Sequence, residues 1–277
     1  MAYSSNKEYL IEVFKDTENW YKTDKELIEH VNESKRHTEI YKEKDYPDIT
    51  YVTCKGKPAK IMVTKGRTFE SAIKLMEEYP NKRVLVHNFA SATNPGGGVL
   101  KGSSTQEESL CRCSTLYPTL TTSECNNGYY KYHKNLHNML YTDTCIYSPN
   151  ILIIKSDTIK PERLPKDKWR TVDIITCPAP NLRDEAAKTS DKQLFEIHKN
   201  RARHMITIAI AHGVDVLVLG AFGCGAFKNK PEIVARAYKE VIMDFRNFFD
   251  AIEFAVYCKA TEDENYKTFN RILGNIK

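Results

Sequence analysis

Four stretches of this 277-residue chain are apolar almost without interruption: "RVLVHNFA" at 83–90, "TVDIITCPAP" at 171–180, "VDVLVLG" at 214–220 and "IEFAVYC" at 252–258. A strand with one wet face alternates polar and apolar residues, so a strand that does not alternate is covered on both faces. The intervening segments supply the cover. "TFESAIKLMEEYPNK" puts Phe69, Ala72, Ile73 and Met76 on one helical face and stops at Pro80. A long helix opens on a Ser-x-x-Gln capping box at Ser190 and ends at Gly213. Another starts at Pro231, with Ile233, Ala237, Val241, Phe245 and Phe248 recurring at helical spacing. Buried strands alternating with amphipathic helices indicate an α/β sandwich.

The remaining segments read more briefly. Leu10, Val13, Phe14, Trp20 and Leu27 recur at helical spacing before residue 45, predicting one or two helices laid on the main body. Alternation at Ile49, Tyr51 and Thr53 predicts a strand, and "KIMVT" another. "CIYSP" and "ILIIK" predict two strands around a Ser-Pro-Asn turn. Long connections are expected at 118–144 and 155–170.

No apolar stretch approaches the roughly 20 residues that span a bilayer. The first twenty residues carry early acidic groups and no apolar signal core. Eight scattered cysteines, several inside apolar runs, suit free thiols in a reducing compartment. A cytoplasmic protein is expected, or a nuclear one in a eukaryote. A net charge of +5 is compatible with an anionic ligand and specifies none.

Two glycine clusters stand where open α/β sheets bind ligands, just beyond a strand and before a helix. One is Gly96-Gly97-Gly98; the other lies in "GAFGCGAF", Gly220 to Phe227. Glycine admits positive φ and lets backbone N–H groups approach an anion. Neither cluster is a P-loop or a dinucleotide fingerprint. Each alone could be a tight turn; the pair suggests a diphosphate cradle, with Phe222 and Phe227 available to stack on a base or sugar or to pack in the core.

Gln106, Glu107 and Glu108 follow the first cluster. Ser104 with Glu107, or Thr105 with Glu108, would make a capping box. The alternative is chemistry, because glycosidic cleavage needs a carboxyl group beside an anomeric carbon. Adjacent helical residues point about 100° apart, so the pair does not suit opposed acid and nucleophile. One glutamate holding ribose hydroxyls, or capping, and the other moving the proton is the division expected.

Triple glycine, seven residues, then Gln-Glu-Glu, followed later by "GAFGCGAF", resembles the poly(ADP-ribose) glycohydrolases of the compact microbial type. The resemblance implies a macrodomain-like three-layer α/β/α sandwich with a mixed central sheet, spanning 46–277, and an N-terminal helical accessory segment over 1–45. It implies hydrolysis of ribose–ribose bonds in poly(ADP-ribose), mainly from chain ends, with ADP-ribose as product. Glu108 is then the acid/base and Glu107 positions the ribose. Gly96, Gly97, Gly98, Gly223, Cys224, Gly225 and Ala226 would wrap the diphosphate, with Gln106 in the same substrate-binding group. Phe227 would meet the adenosine end, and Asn88 or Asn94 the distal ribose. Tyr129, Tyr130 and Tyr132 are the nearby candidates for an aromatic cover on adenine. No metal or other cofactor, no direct nucleic-acid recognition and a monomer are expected.

Rival readings have specific weaknesses. "HKNLH" sets His133 and His137 four apart below Cys111, Cys113 and Cys125, but it lacks the glutamate of a zinc protease motif and the cysteines fit no common zinc module. Cys224 has no general base beside it, and His87 ends a buried strand as interior histidines do. A module that only reads ADP-ribose has no need of the glutamate pair. A hydrolase acting on singly ADP-ribosylated proteins would share the site.

Overall fold

The computed structural model describes residues 6–183, 189–259, 261 and 263–276. Helices α1 (Asn6–Thr23) and α2 (Lys25–Arg36) lead into strand β1 (Glu39–Tyr41). Then come β2 (Lys60–Lys65), α3 (Thr68–Glu78), β3 (Val84–Ala90) and α4 (Gln106–Cys113). Three short helices follow, α5 (Tyr117–Leu120), α6 (Ser123–Cys125) and α7 (Tyr132–Asn135), with a π-helical turn at Asn126–Lys131 before the last. The chain closes with β4 (Cys145–Ile153), β5 (Arg170–Pro178), α8 (Asp191–Ala211), β6 (Val216–Leu219), α9 (Pro231–Phe245), β7 (Ala251–Val256) and α10 (Glu264–Leu273).

The seven strands form one mixed sheet in the order β1-β4-β5-β3-β6-β7-β2. β5, β3, β6, β7 and β2 run parallel; β4 is antiparallel to β5, and β1 to β4. This is the α/β sandwich expected, with a mixed sheet. The apolar runs lack alternation because both faces are used. Val84 and Val86 of β3, with Val216 and Val218 of β6, face the layer holding Phe69, Leu75 and Leu110. Leu85, Leu217 and Leu219 face Ile206, Ala209 and Val241 of α8 and α9. Each such side chain contributes about 1.5–3 kcal/mol by leaving water.

Three local expectations change. Residues 46–59 form no strand: Ile49 and Val52 close a turn and pack against the core edge, while Tyr51 and Thr53 are exposed, so positions 49, 51 and 53 share no face. "CIYSP" and "ILIIK" are one strand, β4, whose register against β5 shifts between Ser148 and Ile151 where Asn150 takes φ +56°. Residues 39–41 extend the sheet rather than the helices. Residues 1–5 of the accessory segment lie outside the described residues.

α1 is tied to the main body. The buried Lys155 ammonium donates to Val13 O at 2.7 Å and pairs with Asp16 at 2.8 Å. The Thr17 hydroxyl donates to Arg112 O at 2.6 Å. Among the described residues no helix is long and apolar enough to cross a membrane.

Candidate active site

β3 and β6 are neighbours in the sheet, so the two glycine loops leave the carboxyl ends of adjacent parallel strands. The first loop begins with a serine turn, the Ser91 hydroxyl accepting from Thr93 N at 3.3 Å and Asn94 N at 3.1 Å. Gly97 N then donates to Asn94 O at 3.0 Å. Gly96 and Gly97 take φ of +65° and +61°. At position 97 the glycine is doubly required: a Cβ there would stand 2.5 Å from Glu108 Oε1 and 2.8 Å from Glu107 Oε2. Both carboxyl groups lie directly against the loop backbone.

Neither capping box forms. Thr105 is the N-cap of α4 but caps no backbone group; its hydroxyl donates to Glu108. The other Glu108 oxygen accepts from Gly98 N at 2.8 Å, ten residues back in the loop. Glu107 Oε2 accepts from Ser91 N at 2.7 Å. Exposures of 2% and 5% set both residues apart from ordinary first-turn glutamates. Burial pushes the Glu107 carboxyl well above the usual range; the Ser91 N–H pulls it back in part, and the neighbouring Glu108 charge pushes it further up. Glu107 therefore holds its proton more tightly than an exposed glutamate.

The other expected residues separate by surroundings. Asn88 is fully buried on β3, its amide donating to Thr176 Oγ1 at 3.2 Å and lying near Glu107. Asn94 is exposed and its amide donates to Thr93 Oγ1 at 3.2 Å, so of the two asparagines Asn88 is the one beside the carboxyls. Gln106 commits its amide to protein: it accepts from Phe89 N at 2.8 Å and donates to His87 O at 2.7 Å and Thr68 Oγ1 at 3.2 Å. That staples α4 to β3 and α3.

In the second loop, Gly223 takes φ +72°, and a Cβ there would lie 2.6 Å from Ala179 Cβ and from Asn229 Nδ2. The buried Asn229 organises this loop. Its amide donates to Pro180 O at 2.7 Å and Gly223 O at 3.1 Å, while its oxygen meets His198 Nε2 at 2.9 Å. Gly225 and Ala226 are exposed, and a Cβ on Gly225 would meet nothing within 4 Å. Cys224 is half-buried and burial pushes its thiol up, away from nucleophile chemistry. Phe222 is core, 4.5 Å from His87 and 5.8 Å from Phe89 between ring centroids. Phe227 is half-buried, with the Arg183 guanidinium 5.4 Å from its ring centroid.

The tyrosine expectation is corrected, and the zinc rival lacks its geometry. Tyr129 and Tyr130 are wholly buried beneath α4, so neither can lie on an adenine at the surface. His133 and His137 do not share a helical face: α7 stops at Asn135, His137 takes φ +47°, and His133 Nδ1 lies 3.0 Å from Tyr129 O while its Nε2 lies 3.0 Å from Thr142 Oγ1.

Sequence reading missed Asn229 and a cavity of about 320 Å³ beyond the ends of β7 and β2. Lys65, Arg67, Glu70, Tyr257 and Lys259 are among its lining residues. Tyr257 is 53% exposed, with the Arg67 guanidinium 4.7 Å from its ring centroid. The available signal was positional: Arg67 and Tyr257 each follow a strand at the same sheet edge as the glycine loops.

The model of the microbial-type PARG catalytic domain, PARG being poly(ADP-ribose) glycohydrolase, matches residues 12–156. Among solved structures, the chain is similar to poly(ADP-ribose) glycohydrolase from Thermomonospora curvata, with 29% identity over 95% of this chain and 98% of that one and a TM-score of 0.83. The same protein bound to the inhibitor ADP-HPD gives a TM-score of 0.80 at 29% identity, with the same 95% and 98% coverage. Poly(ADP-ribose) glycohydrolase from Deinococcus radiodurans in complex with ADP-ribose is 32% identical over 87% of this chain and 95% of that one, with a TM-score of 0.76. No curated protein matches the chain.

Proposed function

The chain belongs to the microbial-type poly(ADP-ribose) glycohydrolases, and from that premise we propose how its two carboxyl groups divide the work. It is a hydrolase of the ribose–ribose bonds of poly(ADP-ribose) that releases ADP-ribose. The observation that carries the division is the pair of carboxyl groups packed against Gly97, where no side chain stands between them and the loop surface.

Glu108 is the proton shuttle. As the bond from the anomeric carbon to the departing ribose oxygen breaks, its carboxylic acid protonates that oxygen and an oxocarbenium-like centre forms. The resulting carboxylate then takes a proton from the water that attacks the anomeric carbon, which restores the acid. Thr105 and Gly98 N–H hold its two oxygens in one orientation throughout. Glu107, which retains its proton, hydrogen-bonds the ribose and stays out of the transfer.

The diphosphate lies along the second loop, where Gly223 and the exposed Gly225 and Ala226 present backbone without bulky side chains. The adenosine end occupies the cavity beside Arg67 and Tyr257, which is of the size of a small-ligand site. Phe227, with the Arg183 guanidinium against its ring, packs on the adenosine. A cradle and cavity suited to one unit support cleavage mainly at chain ends.

Glu108→Gln tests the assignment. It should lower turnover about 10²–10⁴-fold, with ADP-ribose affinity by calorimetry within about threefold of the parent. Parental turnover would remove Glu108 from its role. Oligomers rather than ADP-ribose as first products from polymer would remove the preference for ends.

A further inference from the structure

Arg112 is 2% exposed, and its Nε has no hydrogen-bond partner among the described residues. A buried guanidinium normally meets a carboxylate, because taking the cation out of water is costly. Arg112 instead gives its Nη1–H to a neutral group, Ser103 O, at 2.6 Å. Methionine would fill much of the same space without that cost. The hold on Ser103 therefore has a purpose that packing does not supply.

Helix geometry directs the side chain there. Arg112 stands four residues after Glu108 on α4, one turn on along the same face. Helical side chains lean towards the N-terminus, so its guanidinium reaches back past that turn to the loop before the helix. Ser103 ends a turn that begins at Gly98: Gly98 O accepts from Lys101 N at 2.9 Å and from Ser103 N at 3.2 Å. The two ends pack closely, since a Cβ on Gly98 would stand 3.0 Å from Ser103 Cβ and 3.5 Å from Glu108 Oε1. Gly98 N in turn donates to Glu108 Oε1 at 2.8 Å. The contacts close a ring: Arg112 to Ser103, Ser103 to Gly98, Gly98 to the Glu108 carboxyl, and back along α4. Arg112 is also fixed from behind, its carbonyl accepting from the Thr17 hydroxyl of α1 at 2.6 Å.

We infer that Arg112 is a positioning residue for Glu108: by holding Ser103 O it fixes the turn from Gly98 to Ser103, and with it the Gly98 N–H that orients the acid. The inference rests on the reading that Glu108 moves the proton.

Arg112→Met, assayed on poly(ADP-ribose), should lose at least about tenfold in kcat, because a carboxyl displaced by a fraction of an ångström serves the reaction poorly. KM should stay within about twofold. Tm should hold, because the desolvated cation goes together with its hydrogen bond. Exchange of the Gly98 amide hydrogen should quicken about tenfold while that of Leu110 within α4 stays as it was. Arg112→Lys, which still has a donor for Ser103 O, should recover kcat to within about threefold of the parent. In a Glu108→Gln background Arg112→Met should change the residual kcat less than about twofold, since the acid it serves is gone. Parental kcat in Arg112→Met, unchanged exchange at Gly98, or equal losses in both backgrounds would overturn the inference. So would a lower Tm with weakened ADP-ribose binding, which assigns the guanidinium to folding. A parent protein inactive on the polymer would instead overturn the functional reading beneath it.

Discussion

Gly97 carries more constraint than its neighbours. Glycine at 96–98 invites the view that the backbone is bare for a phosphate. At 97 it is bare because two carboxyl groups occupy the space a side chain would take. Gly97→Ala should therefore cost about 1–3 kcal/mol from left-handed strain, plus a displaced Glu108. We expect a lower Tm and at least about a hundredfold loss of kcat, as a misplacement of about 1 Å can bring. Glu107 makes the opposite case, a residue that weakens the fold. Its pKa is higher folded than unfolded, so the folded state holds a proton that the unfolded chain releases as pH rises. Its contribution is lost as pH rises above the ordinary glutamate range. Glu107→Gln should stabilise the protein at pH 7 and hardly at pH 4 in urea titrations; equal midpoints for the two proteins at pH 7 would contradict this. The identity of these residues was legible in sequence; the direction of their side chains was not. Capping-box spacing is satisfied at both glutamates, and only the fold of residues 91–105 over α4 turns them inward.

At the scale of elements, α4 is short and held by its surroundings. Gln106 anchors its start, and the buried Asp157 accepts from Ser109 Oγ at 2.7 Å and from Phe69 N at 3.1 Å, joining α4 to α3. The N-terminal helix completes this mounting. Gly102, at φ +70°, packs against the Lys7 carbonyl, so α1 touches the loop that carries the triple glycine. Lys155→Met should release α1. Its partner Asp16 is half in water, so the expected loss is about 1–3 kcal/mol rather than the full cost of breaking a buried pair. Protease cleavage within α1 should accelerate, and kcat should fall with Tm; unchanged cleavage would show that α1 is held by its apolar face alone. The helices themselves were readable from periodicity. Their attachment was not, because a lysine at 155 and an aspartate at 16 carry no local sign of meeting.

Three of the buried histidines are held neutral by the layers that enclose them. Burial is the leading cause that lowers His87 and His198 to about 3 and His133 to about 4. The unfolded chain takes up these protons near pH 6.5 and the folded one does not, so stability is full above that value and lost on acidification towards pH 3–4. Each group contributes at most about 1.4 kcal/mol per pH unit. Asp16, lowered to about 2 chiefly by its Arg163 hydrogen bond, adds stability present above pH 3.8 and lost as pH falls through about 2. Urea midpoints should therefore decline steadily from pH 6.5 to pH 4; a flat profile would contradict the burial of these rings. By itself the sequence determined the layered α/β architecture, its buried strands and the order of the two glycine loops, because apolar runs and helical periodicity are local records of burial. Tertiary structure alone decided that Asn88 rather than Asn94 meets the carboxyls, that Tyr129 and Tyr130 lie beneath them and that Asn229 shapes the second loop. Those outcomes depend on which distant segments a side chain meets, and no spacing along the chain encodes a meeting across it.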